Sequence, residues 1–283
     1  MDWQDPETAK KYKEKAETLT GPFALQLVRQ CGLDRVDGSS ELVILDNACG
    51  TGIVTHHIYE TLSPAAKAKL QVVCGDLSPW MVKSVQERIG QNGWAGASAK
   101  VVDAWRMDLP SNHFTHVLTN FALTDFADSR AFLAESFRVL RPSGVLALTI
   151  FERVGWHPIA AAAIQRIPRA PRVPTLKERI GDSLDDWTDP VFIAEEIRKA
   201  GFEDVQTVLH TNVSKIPNAE EYLKIHGELT VLARAWTEEE KARVSPHFHA
   251  VLLEELRSRF GDGEISLEWR AWGITSRVPA NKS

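Results

Sequence analysis

The most constraining stretch of the chain is a run of four apolar residues, Leu42-Val43-Ile44-Leu45. It passes directly into Asp46-Asn47-Ala48-Cys49-Gly50-Thr51-Gly52 and then into helical spacing up to about Leu62. A strand without polar alternation is buried on both faces, as in a sheet covered by helices on either side. The small residues after it let the backbone turn tightly into the helix that follows. The unit then recurs. Strand-like runs stand at 70–74, 99–102, 116–119 and 145–151, with helical spacing at 79–91 and 130–140 among them. Phe132, Leu133, Phe137 and Leu140 share one side of the latter helix, and Arg141-Pro142-Ser143-Gly144 closes it. This alternation predicts an α/β fold with a doubly wound, mostly parallel sheet. A helix at 190–200, a sixth strand at 204–209 and a seventh carrying the alternating Ile265, Leu267, Trp269, Ala271 and Gly273 make the sheet seven-stranded.

Other segments stand outside that rhythm. Residues 4–19 have polar-rich helical spacing, and 23–31 read as a second short helix opened by Gly21-Pro22. Together 1–38 form an expected helical lid ahead of a core at 40–152. Pro158, Pro168, Pro171 and Pro174 break the pattern between 153 and 188. Residues 219–260 are mainly helical and are expected as a cap insertion, so 1–283 reads as one domain.

Composition limits the partners. A chain of 283 residues with 43% apolar content can bury a substantial core. Its 33 Lys+Arg stand against 38 Asp+Glu, a net charge of -5, with no basic block. That argues against a nucleic-acid clamp or a polybasic membrane anchor. No apolar run approaches the roughly 18 residues of a membrane span, and the opening MDWQDPETAKKYKEK has no apolar signal core. A cytoplasmic monomer or homodimer is expected. Cys31, Cys49 and Cys74 form no CxxC pair and no metal spacing, which predicts buried thiols in a reducing compartment and no metal.

The glycine turn suits a polar or anionic ligand end, because a helix N-terminus follows it. It is not a P-loop, for no Lys follows. A dinucleotide fingerprint wants Gly or Ala where Thr55 stands, which weakens a nicotinamide reading. Asp76 ends the second strand, where a carboxylate can accept from both ribose hydroxyls. Asp103 ends the third, where it can accept from an adenine amine beside Ala104 and Trp105. Helix N-capping is the alternative for either aspartate.

Taken together, Asp46-Asn47-Ala48-Cys49-Gly50-Thr51-Gly52, Gly75-Asp76-Leu77-Ser78-Pro79-Trp80-Met81, Asp103-Ala104 with Leu109-Pro110, and Phe137-Arg138-Val139-Leu140-Arg141-Pro142-Ser143-Gly144 resemble the ordered motifs of class I S-adenosylmethionine-dependent methyltransferases, a Rossmann-like fold. The early KYKEKAETLTGPFALQLV and LDNACGTG segments are most similar to fungal small-molecule enzymes of the gliotoxin bis-thiomethyltransferase type, which act on dithiol secondary metabolites. The usual first glycine is Ala48 here. The resemblance implies S-adenosylmethionine as cofactor, with S-adenosylhomocysteine as product. Ala48, Gly50 and Gly52 would line the methionine part, Asp76 the ribose, Met81 an adenine face, and Asp103 and Ala104 its edge. Asn120 would lie near the sulfonium, and Tyr12 is a candidate lid residue.

Methyl transfer from a sulfonium needs no acid, so positioning dominates. A thiol acceptor, partly ionised near neutrality, needs little help, whereas a phenol or alcohol more often needs a base. His157, Glu152 and Asp125 are the candidate bases. Phe23, Phe121, Phe126 and Trp156 are candidate acceptor-binding aromatics. Thiol, hydroxyl and amine acceptors all remain open, with a dithiol favoured. A nicotinamide oxidoreductase and a cofactor-binding regulator without turnover are the alternatives.

Overall fold

A computed structural model describes residues 17–175, 178, 186–227, 229, 232–233 and 236–282. Strand β1 (Leu42–Asn47) is buried along its whole length, as its unbroken apolar run requires. It pairs in parallel with β2 (Leu70–Asp76) on one side and β4 (Phe114–Asn120) on the other. Strand β3 (Ala97–Val101) lies parallel to β2, and β5 (Leu140–Arg153) parallel to β4. With β6 (Glu203–Ile216) and β7 (Ile265–Arg277) the order is β3-β2-β1-β4-β5-β7-β6. Partner numbers fall along β7 as they rise along β5: Ser143 bonds Val278, and Glu152 bonds Arg270. They also fall against β6, where His210 lies beside Gly273 and Ser214 bonds Trp269. Strand β7 is therefore antiparallel within an otherwise parallel sheet.

Chain order runs outward from β1 to β3 in one direction and from β4 to β5 in the other. The reversal between β1 and β4 is a topological switch point, where the chain leaves the strand ends in opposite directions and opens a crevice.

The helices are α1 (Glu17–Gln30), α2 (Ile53–Thr61), α3 (Pro64–Lys67), α4 (Pro79–Asn92), α5 (Ser129–Val139), α6 (His157–Gln165), α7 (Pro190–Lys199), α8 (Ala219–His226) and α9 (Glu238–Phe260). Polar caps set several of their starts. Ser78, Asp128, Asp189, Asn218 and Thr237 each accept a backbone N–H of the first turn. Among the described residues, no helix is long and apolar enough to cross a membrane.

Three boundaries differ from the sequence expectation. Helix α1 runs through Gly21-Pro22 instead of restarting after it, because Phe23, Ala24, Leu27 and Val28 form a fully buried stripe whose packing outweighs the proline. The Arg141–Gly144 stretch is strand and not loop; β5 begins at Leu140, with a register irregularity opposite Phe114 and His116. Helix α6 forms inside the proline-rich segment, since Pro158 occupies its first turn, where a missing N–H costs nothing. The expected helix at 4–19 lies largely outside the described residues.

The chain forms two compact units, one of Met1–Ile150, Asp189–His210 and Ala271–Ser283, the other of Phe151–Thr188 and Thr211–Arg270. In the first, Ala24, Leu27 and Val28 of α1 join Ile44 of β1, Ile53 and Ile58 of α2 and Val85 of α4 in one core. In the second, α6 and α8 pack on α9, and the 219–260 segment expected as a cap belongs to this unit.

Helix α5 passes straight into β5 with no glycine cap, so its last carbonyls need other donors. Leu140 N–H bonds Ser136 O, Asn112 N–H bonds Arg138 O, and His113 N–H bonds Val139 O. Lys282 supplies the rest, its ammonium donating to the carbonyls of Phe137 (2.6 Å) and Leu140 (2.6 Å) and to Arg138 (3.2 Å). It also lies over the Phe137 ring at 4.8 Å. We expect Lys282→Met to lower unfolding stability by about 1–3 kcal/mol, the range for losing charge-assisted bonds to partly buried acceptors. Urea denaturation checks this; an unchanged midpoint would show that water replaces the ammonium without cost.

Candidate functional site

Strands β1 and β4 are largely buried until their carboxyl ends, and there the burial breaks. Ala48 and Gly50 after β1, Asp76 at the end of β2, Asp103 after β3, and Asn120 and Phe121 at the end of β4 are all half-buried. These positions flank the switch point between β1 and β4.

The turn after β1 alternates in hand. Ala48, Gly50 and Gly52 have φ of 52°, 53° and 84°, while Cys49 and Thr51 between them stay on the negative side. A Cβ on Gly52 would come within 2.6 Å of Val85 Cγ2, so α2 starts where it does only because Gly52 has none. Ala48 adopts the left-handed region with a Cβ, at a cost of about 1 kcal/mol.

Side chains from outside hold this backbone. Asp76 accepts from Gly50 N–H through Oδ2 and from Ser78 N–H through Oδ1, both at 2.9 Å. It does not cap α4, because Ser78 does. Each of its oxygens keeps a lone pair for a further donor. Burial pushes its carboxyl up, against the opposing bonds from Ser78 and Gly50. Deeper in, Asp46 Oδ2 accepts from Thr55 N–H (3.0 Å) and Thr55 Oγ1 (2.7 Å). Its carboxyl is pushed up to about 7, mainly by burial, with the two Thr55 bonds opposing and Asp76 adding to the rise.

Asp103 Oδ1 accepts from Trp105 N–H at 3.2 Å in a tight turn; no helix follows it, so it is no helix cap. Ala104 beside it is buried. Asn120 Oδ1 accepts from Thr149 Oγ1 at 2.7 Å, and its Nδ2 is buried without a partner, as are Asn47 Nδ2 and Asp46 Oδ1. These orphaned atoms mark the switch point as a place short of polar partners. Met81 is 2% exposed and offers no open face in this conformation. Tyr12 lies outside the described residues.

The acceptor aromatics form separate groups. Phe121, with φ of 60°, meets Phe23 edge to face at 5.5 Å. Phe23 has no exposed surface, so it braces Phe121 and does not present a face of its own. Phe126 packs on Trp105 and Phe132 at 5.9 and 4.9 Å. In the second unit, Trp156 stacks on His226 at 6.4 Å.

The candidate bases are differently engaged. Glu152 is clasped by Arg270 through both oxygens, at 2.6 and 2.7 Å. His157 Nε2 donates to the Pro174 carbonyl at 2.9 Å, tying α6 to the proline-rich strap. Asp125 is exposed at the end of a short 3-10 turn, Leu123–Asp125. On α2, His56 and His57 share Glu60, at 3.3 and 3.1 Å, within a cluster of metal-ligand type. Burial lowers the His57 pKa.

Sequence reading passed over several residues that shape this edge: Asn47, Thr149, Glu17 and Arg88, and Asp46 as more than a motif letter. The signal for Asp46 was there, since an acid two residues before the turn on an otherwise apolar strand must find internal donors.

Comparisons with known proteins agree with the geometry. Residues 44–144 match the family model described as a methyltransferase domain. Over 266 residues the chain is 33% identical to an acetylaranotin bis-thiomethyltransferase of Aspergillus terreus, covering 93% of this chain and 92% of that one. Among solved structures, a putative methyltransferase of Bacillus halodurans has a TM-score of 0.55 at 19% identity, covering 90% of this chain and 98% of that one. A phosphoethanolamine N-methyltransferase of Haemonchus contortus, in complex with S-adenosyl-L-methionine, has a TM-score of 0.52 at 18% identity, covering 91% of this chain and 52% of that one.

The raised Asp46 carboxyl gives a signed expectation. A folded pKa near 7 against 3.8 means the fold holds this proton more tightly than the unfolded chain does. Its stabilising contribution is complete below the unfolded value and is lost as pH rises to about 7. Asn keeps an acceptor for Thr55 and does not titrate. Asp46→Asn should therefore gain on the parent by a few kcal/mol at most between about pH 5 and about pH 8. Melting temperatures across that range check this; a difference independent of pH would mean Asp46 is ionised throughout.

Proposed function

The chain belongs to the S-adenosylmethionine-dependent methyltransferases, and on that premise we propose that it methylates sulfur on a small-molecule dithiol. The observation that carries the reading is the similarity to the Aspergillus bis-thiomethyltransferase, which extends over 93% of the chain, well beyond the cofactor-binding motifs.

The switch-point edge fits a nucleoside joined to an amino-acid end. Asp76 has lone pairs to spare for two vicinal hydroxyls. Asp103, with Ala104 and Trp105 beside it, would meet the base. The partnerless amides of Asn47 and Asn120 are donors for a carboxylate or a water next to it, and Asp46 Oδ1 is a carboxyl oxygen without a partner. Ala48, Gly50 and Gly52 leave the backbone open to close approach. S-adenosylmethionine, when bound there, supplies an electrophilic methyl on a cationic leaving group.

What remains for the chain is orientation and exclusion of water. Thiol acceptors suit this, because about 3% of a thiol of pKa 8.5 is already ionised at neutrality. Glu152 and His157 are committed to Arg270 and Pro174, which favours chemistry that needs no obligatory base. Phe121 and Phe126 remain the aromatic candidates for the acceptor's ring. A cytoplasmic setting would keep both the acceptor and Cys31, Cys49 and Cys74 reduced. With a net charge of -5, nucleic acid is a poor partner.

Two sets of measurements check this. Asp76→Ala should weaken S-adenosylhomocysteine at least tenfold in calorimetry, and Asp103→Ala by several-fold, near one charge-assisted hydrogen bond each. In turnover assays against dithiols, phenols and amines, S-methylated product should dominate, with Glu152→Gln, Asp125→Asn and His157→Gln each within about threefold of the parent. Loss of an essential base would cost about a hundredfold or more. A phenol or amine turned over in preference to thiols, or a hundredfold loss at one of those three positions with donor affinity intact, would refute the sulfur assignment or the baseless mechanism respectively.

A further inference from the structure

Thr51 is the middle residue of the glycine turn, fully buried, with a left-handed residue on each side. Its hydroxyl donates to Glu17 Oε1, at the first turn of α1. Arg88, on α4, donates from the same nitrogen to that carboxylate oxygen at 2.6 Å and to the Thr51 carbonyl at 3.1 Å. The guanidinium lies over the Trp94 ring at 5.5 Å. The Glu17 and Arg88 side chains are only 15% and 11% exposed. Three elements distant in sequence thus close a ring of hydrogen bonds on one residue of the turn.

We propose that Glu17, Thr51 and Arg88 are positioning residues that set the turn for the methyl donor and make donor affinity depend on α1 being seated. This rests on the turn being the donor's seat.

The physics runs in two steps. Asp76 pins the turn at Gly50 N–H from the β2 side, and the triad pins the next residue at both its hydroxyl and its carbonyl. With only the first anchor, a backbone of alternating hand can relax toward ordinary φ values. Donor binding would then have to restore it, and the ordering cost appears as lost affinity. The second step is the charge. A largely buried carboxylate needs its cation, and the cation needs it in return. Lifting α1 would leave Arg88 and Thr51 short of an acceptor together, so α1 cannot leave without loosening the turn. By linkage, a donor that favours the ordered turn also favours seated α1. The helix that opens the described chain would then act as a lid whose closure the donor itself promotes. Plain structural anchoring would give something else: a change in stability with no change in affinity.

The experiment uses the full chain and S-adenosylhomocysteine as probe. Thr51→Val keeps the shape and removes the hydroxyl, Thr51→Ser restores it, and Glu17→Gln removes the charge. Calorimetry should show Thr51→Val and Glu17→Gln about tenfold weaker than the parent, Thr51→Ser within about twofold, and the Val/Gln double variant no weaker than either single one. The donor KM should rise in step, with kcat falling by less than about threefold. In hydrogen exchange, the probe should slow α1 amides in the parent and not in Thr51→Val. Asp76→Ala serves as the control on the seat. Lower melting temperatures with parental affinity in Thr51→Val and Glu17→Gln would overturn the proposal while Asp76→Ala still loses the probe. Parental affinity in Asp76→Ala would remove the seat itself, and the proposal with it.

Discussion

Between Asn47 and Ile53 the backbone changes hand at every residue, and it holds that shape through side chains anchored elsewhere. Asp76 reaches it from β2, and Glu17 and Arg88 from two helices. Asp46, from the strand just before it, fixes the first turn of the helix just after. Each anchor is an ionisable side chain drawn away from bulk water, and for Asp46 and Asp76 burial pushes the carboxyl up. The arrangement persists because each finds donors at short range: two backbone N–H groups for Asp76, an amide and a hydroxyl for Asp46, a guanidinium and a hydroxyl for Glu17. The apolar core of α1, β1, α2 and α4 keeps water away from these bonds, and the bonds in turn fix where those elements end.

That mutual dependence explains which parts of the fold were legible in the sequence. The parallel core follows from the unbroken apolar run of β1 and from capping residues such as Ser78 and Asp189, whose local chemistry overrides little else. The errors arise where a local signal met a tertiary one. Gly21-Pro22 has the composition of a helix break, yet the buried stripe from Phe23 to Val28 carries α1 straight through it. Arg141-Pro142-Ser143-Gly144 has the composition of a turn, yet it is bracketed by the β4 pairs Leu140–Phe114 and Val145–His116 on one side and bonded to Val278 on the other, which draws it into β5. Neither partner is visible from within the segment.

The candidate site divides along the same line. Asp76 and Asp103 could be marked from sequence because strand ends in a doubly wound sheet have a fixed use, and capping, their ordinary alternative, falls to Ser78 for α4 and finds no helix after Asp103. Glu17 and Arg88 could not be marked, for their roles exist only once α1 and α4 converge on Thr51, across 71 residues of chain. Phe23 shows the opposite limit. Its place near the turn suggested contact with an acceptor, and its complete burial gives it instead the task of bracing Phe121.

The disposition of the other polar groups bears on the chemistry. An enzyme that had to deprotonate an alcohol would need a base held near the methyl, with its lone pair unspent. Here the Glu152 carboxylate gives both oxygens to Arg270, and His157 gives Nε2 to the strap at Pro174. The carboxylates at the turn are spent in the same way, Asp76 on the N–H groups of Gly50 and Ser78 and Asp46 on Thr55. Polar chemistry in the first unit is thus concentrated on shaping backbone, not on moving protons. Such a design is sufficient when the acceptor brings its own nucleophile, as a thiol does near neutral pH, and when the electrophile arrives already activated. In that case donor capture, and with it kcat/KM, depends on how well the turn is ordered before the two meet, which places the energetic weight of donor binding on the same anchors that hold the fold.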